Sequence, residues 1–341
     1  MSKTKVAING LGRIGRAFLK LSSERDELEV VAVNDLGELD NLAYLLKYDS
    51  AYGRFNKEIK TQDGNLVVAG KTIKFLQQPD PTQLPWGELG VEVVVESTGV
   101  FETYAKAKAH LAAGARRVVI SAPVADEPPA GISGATVLVG INEDKLATCQ
   151  ISSNGSCTTN SASPLIQILD EAIGVERAIL NTIHGYTASQ KLVDGPNKKD
   201  FRRGRAAAAN IVPSSTGAAI AVTKALPHLA GRFDGIAARV PVISGSLVDV
   251  TFVAKRATTV EEVNAALAKA AGDSRWQGIF AVTEEPLVSA DILDSPYASL
   301  AQLDLTRVVD GTLVKVMAWY DNELGYTHTL IRHVIKAGES I

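Results

Sequence analysis

Three closely spaced glycines, Gly10, Gly12 and Gly15, constrain this chain more than any other feature. They follow the short apolar run 5–10 and open a segment, 13–24, whose apolar residues recur at helical spacing. An acid, Asp35, stands 20 residues after Gly15, at the end of a continuous β-branched run. A strand, a glycine turn and a helix N-terminus in that order let the backbone approach a pyrophosphate, whose charge the helix end favours. Asp35 can accept hydrogen bonds from a ribose 2′-hydroxyl and would repel a 2′-phosphate, which favours NAD over NADP. Ser97-Thr98-Gly99 follows another apolar strand, at the kind of strand end where such sheets bind ligands.

The first half continues to alternate strand-like and helix-like runs, ending one helix at Gly114. This predicts an α/β fold with a doubly wound (Rossmann) parallel sheet. The second half has longer strand candidates and fewer helices, which predicts a mixed or antiparallel α+β domain. At 341 residues the chain is too long for one ordinary core. Between the strand candidates lies a stretch of about 25 residues, 185–210, without clean periodicity, and a loop that long is usually functional.

Composition narrows the partners. A formal net charge of −3 argues against nucleic acid held by bulk electrostatics. No apolar run reaches the ~18 residues of a membrane span, and the start of the chain lacks a signal-type apolar region. Two cysteines cannot build a disulfide framework, so the expected location is cytoplasmic. Histidines and cysteines show no metal-ligand spacing, so no metal is expected.

One of those cysteines, Cys157, sits among small hydroxylated and amide residues, between the strand-like 148–153 and the helix-like run 163–174. A helix N-terminus there would favour thiolate. Pro164 leaves two alternatives open: a helix starting near Ser163, or an earlier turn that the proline breaks. A reactive thiol needs a base, and His184, ending the run 176–184, is the one histidine at a strand end. His110, His228, His328 and His333 fall in helix-like segments with no matching acid or thiol, and Cys149 reads as inert strand core. Ser214 to Thr216 open a helix-like run and read either as helix caps or as an anion site, and Arg239 at a strand end reads either as a surface ion pair or as a charged fork for a phosphate. Lys198, Lys199, Arg202, Arg203 and Arg205 read as a solvated face or a lure for anionic ligands.

The segments INGLGRIGR, ESTGVF, SCTTN, DGPNKKDFRRGRAAAANIVPSSTGAA, ARVP and WYDNELGY together closely resemble the phosphorylating glyceraldehyde-3-phosphate dehydrogenases, end to end and in order. The resemblance implies Cys157 as nucleophile and His184 as its base. It implies Thr187 and Arg239 around one phosphate, and Ser156, Thr158, Thr216 and the Gly217 backbone around the other. Arg13, Ile14, Asp35, Ser121 and Asn322 would contact NAD. It further implies a dinucleotide domain of residues 1–156 and 322–341, a catalytic domain of 157–321, and a homotetramer. The substrates would be a triose phosphate and inorganic phosphate, joined through a cysteine thiohemiacetal and thioester.

Departures from the family pattern are Ser161 for a second cysteine, Ile220 for a lysine, Leu324 for a tryptophan and Pro79 for an arginine. An erythrose-4-phosphate dehydrogenase is the nearest rival reading. A non-catalytic nucleotide binder with Cys157 as redox sensor is another, but it would need neither His184 nor the phosphate cradles.

Overall fold

Short, continuous apolar runs become the central strands of the first sheet, because helices cover both of its faces. Val6, Ala7 and Ile8 on one strand and Val93, Val94 and Val95 on its neighbour are wholly buried. The computed structural model describes residues 3–198 and 200–341. It divides into two compact units, Met1–Gly155 with Thr327–Ile341, and Ser156–Tyr326. The second crossing lies inside the helix Leu324–Glu339, five residues beyond the expected one at 321/322.

In the first unit the strand order is Gly134–Thr136, Ile151–Ser153, Arg117–Ile120, Val93–Glu96, Thr4–Asn9, Leu28–Asn34 and Lys71–Leu76, all parallel. An antiparallel edge of Asn65–Val68 and Ile59–Gln62 completes it. Chain order reverses between Thr4–Asn9 and Val93–Glu96, the crevice where open parallel sheets bind ligands. This is the predicted doubly wound fold. Helix Tyr104–Ala112 stops as expected, with Gly114 at φ +101°. Cys149 is buried but precedes the strand Ile151–Ser153 instead of lying within it. The C-terminal helix is tied into this unit by His333, which bonds the Ser152 hydroxyl (2.7 Å) and Asn154 Oδ1 (3.1 Å).

The second unit is built on a mixed sheet in the order Val212–Ser215, Phe233–Val240, Val175–Gly185, Ser246–Ala254, Leu313–Tyr320, Ser299–Gln302 and Phe280–Thr283. Alternation along its long strands is regular. Leu180, Thr182 and His184 are buried on the face that helix Cys157–Ala172 covers, while Ile179 is left exposed on the other. Among the described residues no helix is long and apolar enough to cross a membrane.

Candidate active site

The pleat and the register assemble the site in the second unit. His184 pairs with Arg239 across one strand boundary, and Ser246 pairs with Tyr320 two strands further on. All point to the face covered by the helix that begins at Cys157. The helix is held at that residue by a capping box: the Ser156 hydroxyl accepts the Thr159 N–H (3.0 Å), and the Thr159 hydroxyl receives the Ser156 N–H (3.2 Å). The helix therefore starts well before Pro164, which lies in its interior.

Cys157 Sγ stands 3.3 Å from His184 Nε2. At the other ring nitrogen, Nδ1 lies 2.6 Å from the Gly185 carbonyl and 2.5 Å from Arg239 Nη1. Tyr320, which the sequence reading passed over, sets its ring edge against His184 and its hydroxyl between Thr158 (2.9 Å) and Thr182 (2.7 Å). Its only sequence signal was its position as the last buried residue of an alternating strand.

Cys157 is only half-buried by surface area, yet the protein crowds its sulfur, and this desolvation pushes the thiol up. The Arg239 charge and the Thr158 N–H pull the other way without prevailing. Burial and then Arg239 push His184 down to about 3. Desolvation thus opposes the thiolate that the helix N-terminus favours, and burial favours the neutral ring at His184. The helix end and Arg239 favour the anion, but taking it out of water costs more. A thiol and an imidazole at this distance can exchange a proton once something offsets that cost.

The remaining expected phosphate ligands sit close along the chain. Thr187 follows the strand that carries His184, its hydroxyl 2.9 Å from Ser189. The Thr216 hydroxyl accepts the Ala218 N–H (3.1 Å), and Gly217 caps the helix Ala218–Ala225. Arg203 is more than a solvated charge: it donates to the Ser214 hydroxyl (2.7 Å) and is near enough to Arg239 to disfavour its charge. The long loop folds on itself through Gly195 and Gly204 and the pairs Arg205–Asp194 and Arg202–Asp200. Lys199 lies outside the described residues. Two histidines do have acids beside them: His110 lies 3.0 Å from Glu96, and His228 lies 2.7 Å from Asp170. Those acids are far away in sequence and showed no local pattern.

In the first unit, Gly10, Gly12 and Asp35 line a cavity of about 310 Å³ together with Asn34, Pro79 and Thr98. A side chain at Gly10 would meet the Ser97 backbone at 2.8 Å, and one at Gly15 would overlap the Gly10 carbonyl. Gly12 caps helix Arg13–Ser22 and has no side chain to satisfy the first-turn N–H groups. Asp35 accepts from the Leu11 N–H (2.6 Å) and the Gly37 N–H (2.8 Å). These bonds fix the carboxylate and leave it lone pairs for ribose hydroxyls. Arg13 is held against Asp49 (2.6 Å), a partner the sequence did not suggest. Ser121 bonds the Glu96 carbonyl from both its N–H (2.9 Å) and its hydroxyl (3.0 Å), and Ile14 is half-buried. Asn322 belongs to the second unit, where Oδ1 accepts from Ser246 (2.8 Å) and Ser244 (3.3 Å). Of the departures, Ile220 is exposed on its helix, while Leu324 and Ser161 are buried.

A doubly wound nucleotide sheet in one chain with a unit built around a cysteine–histidine pair defines a class, the dinucleotide-dependent oxidoreductases. Residues 4–104 match the NAD-binding domain of glyceraldehyde 3-phosphate dehydrogenase, and residues 156–322 match its C-terminal domain. The chain is 48% identical to the glyceraldehyde-3-phosphate dehydrogenase of Clostridium pasteurianum, over 96% of this chain and 97% of the relative. It is 45% identical to that of Streptomyces coelicolor, over 99% of both, and 47% identical to that of Geobacillus stearothermophilus, over 96% of both. The chain belongs to the glyceraldehyde-3-phosphate dehydrogenase family, and its cofactor is NAD. The glycine cradle, the uncapped helix start and the Asp35 carboxylate fit that cofactor.

Proposed function

We propose that this chain oxidises D-glyceraldehyde 3-phosphate to 1,3-bisphosphoglycerate with NAD and inorganic phosphate, through intermediates bound to Cys157. The observation that carries the reading is the 3.3 Å approach of Cys157 Sγ to His184 Nε2, with Arg239 at the opposite ring nitrogen. The names of the relatives support the substrate.

His184 takes the thiol proton as the sulfur adds to the aldehyde carbon, giving a thiohemiacetal. When bound, NAD would supply the acceptor for the adduct's hydride while the hydroxyl proton passes to His184, leaving a thioester; a phosphate oxygen then attacks that carbon and the Cys157 sulfur leaves. An imidazole held down to about 3 is a strong acid once protonated, so it readily returns a proton to the developing oxyanion. The Cys157 N–H, at the helix start, is the second donor to that oxygen.

Arg239 and Thr187 hold the substrate phosphate. Ser156, Thr158, Thr216 and the Gly217 backbone hold the attacking one, with the Thr158–Tyr320 bond (2.9 Å) giving way to it. Gly10, Gly12, Gly15, Arg13 and Ile14 seat the dinucleotide backbone, and Asp35 seats a ribose, with Ser121 and Asn322 as further contacts. The assembly is a homotetramer. Ile179 (58% exposed) and Ile236 (60% exposed) on the open sheet face support burial against another copy. Both cysteines are free, which suits work in the cytoplasm.

Reduction of NAD by glyceraldehyde 3-phosphate, measured with and without phosphate or arsenate, tests the reading. Sustained turnover that requires the oxyanion supports it. No reduction, or a rate indifferent to phosphate, counts against it. Light scattering checks the tetramer.

A further inference from the structure

Behind the nucleotide cavity lies a buried polar row that the mechanism does not use. Asn34, Asn9 and Glu96 stand in register at the C-terminal ends of three adjacent parallel strands. Glu96 is 2% exposed. Its Oε2 accepts from Asn9 Nδ2 (2.6 Å) and lies 3.0 Å from His110 Nε2. Its Oε1 accepts from the Thr98 N–H (2.8 Å) and from the Thr98 hydroxyl. Trp86, wholly buried, directs its indole N–H at His110 Nδ1 (3.0 Å).

The direction of this chain follows from donor chemistry. An indole N–H can only donate, so Nδ1 of His110 must carry a lone pair, and the ring proton sits on Nε2 facing Glu96. Asn9 Nδ2, 3.4 Å from that nitrogen, then converges on the same oxygen instead of bonding the ring. Four donors fill the lone-pair sites of one carboxylate. Three of them, one on Asn9 and two on Thr98, belong to residues that line the cavity. Ser97, between Glu96 and Thr98, ties the glycine turn in place by bonding the Asn9 carbonyl (2.8 Å) and the Gly10 carbonyl (2.7 Å).

We propose that Glu96, fixed by Trp86 through the His110 tautomer, is a positioning residue for the cofactor that sets the wall of the nucleotide cavity. This rests on reading the Gly10–Gly15 cavity as the NAD site. Glu96→Gln keeps the shape and reverses one donor. While the new amide oxygen serves Thr98, the amide N–H₂ meets two donors, His110 Nε2–H and the Asn9 N–H₂ that shared the same oxygen. His110 can escape only by moving its proton to Nδ1, where it collides with the Trp86 N–H. Adding Trp86→Phe removes that N–H and lets the tautomer change, so the second substitution should relieve the histidine's share of the first and leave only the Asn9 clash.

NAD binding to the intact chain is followed by calorimetry, alongside KM for NAD and kcat at saturating NAD. Glu96→Gln is expected to raise Kd and KM for NAD about tenfold with kcat within about twofold, a loss of binding and not of chemistry. Glu96→Gln with Trp86→Phe is expected to weaken binding less than the two single losses combined, by at least about threefold in Kd, where a packing role would make the losses add. An unchanged Kd in Glu96→Gln, or additive losses in the pair, overturns the proposal. Should Glu96→Gln not fold, nitrogen NMR of the unaltered protein decides: a proton on His110 Nε2 supports the relay, and one on Nδ1 sinks it. Asp35→Ala separates this from the underlying reading. If it leaves NAD binding unchanged, the cavity is misassigned. If it weakens binding while Glu96→Gln does not, only the relay fails.

Discussion

Arg239 and the Gly185 carbonyl compete for one atom, Nδ1 of His184, at 2.5 and 2.6 Å. The guanidinium can only donate and the carbonyl can only accept, so Nδ1 satisfies one at a time. Accepting from Arg239 places the ring proton on Nε2, facing a sulfur anion. Donating to Gly185 leaves Nε2 bare, ready to receive the thiol proton. Taking the thiol proton in the second arrangement makes an imidazolium that keeps its bond to Gly185, and the first arrangement is reached only when the Nδ1 proton has also left.

Arg239→Gln removes the positive charge that favours both the anionic sulfur and the neutral ring. The pH profile of Cys157 alkylation by iodoacetamide should move to higher pH. KM for the phosphorylated substrate should rise at least about tenfold, as a charge-assisted bond is lost. An unmoved alkylation profile would show that Arg239 does not tune the thiol.

Cys157→Ser should lower turnover by at least about a thousandfold, because a hydroxyl is a far weaker nucleophile than a thiolate. Calorimetry should find NAD binding within about twofold of the parent, since no cofactor contact is removed. Residual turnover near the parent value would remove Cys157 from the chemistry.

Asp35→Ala should narrow the preference for NAD over NADP about tenfold, through weaker ribose binding and the loss of repulsion toward a 2′-phosphate. The ratio of kcat/KM for the two cofactors measures it. A constant ratio would mean that another group sets the choice.

His333 predicts an acid sensitivity. Burial pushes it down to about 3 in the folded chain, against 6.5 when unfolded. Between those values the unfolded state binds a proton that the folded state refuses, so stability is full above pH 6.5 and declines as pH falls toward 3. At pH 5 this histidine should cost about 2 kcal/mol. His333→Gln should destabilise the protein at pH 7 yet shrink the further loss between pH 7 and pH 5. Urea unfolding at the two pH values checks this. The slope should fall by about one proton and not vanish, because His184 titrates over the same window.

Local pattern made much of this legible. The glycine triplet with its flanking strand and helix announced the nucleotide sheet, because its steric demands fall within a few residues. Gly114 marked a helix end for the same reason. Cys157 and His184 stood out by their positions at junctions. For the thiol, the helix end is visible in sequence, while the crowding that desolvates the sulfur comes from elements far along the chain.

Tyr320, Glu96, His110 and Trp86 were illegible because each acquires its meaning from a partner far along the chain. Alternation along the strand determined that His184 turns inward. Only the pairing of Val175–Gly185 with Phe233–Val240 decided that Arg239 would stand beside it. A shift of one residue in that register would have turned Arg239 to the open face, as the pleat has a period of two. Sequence alone determined which residue types were available and which way they alternate; long-range strand registration decided which of them meet.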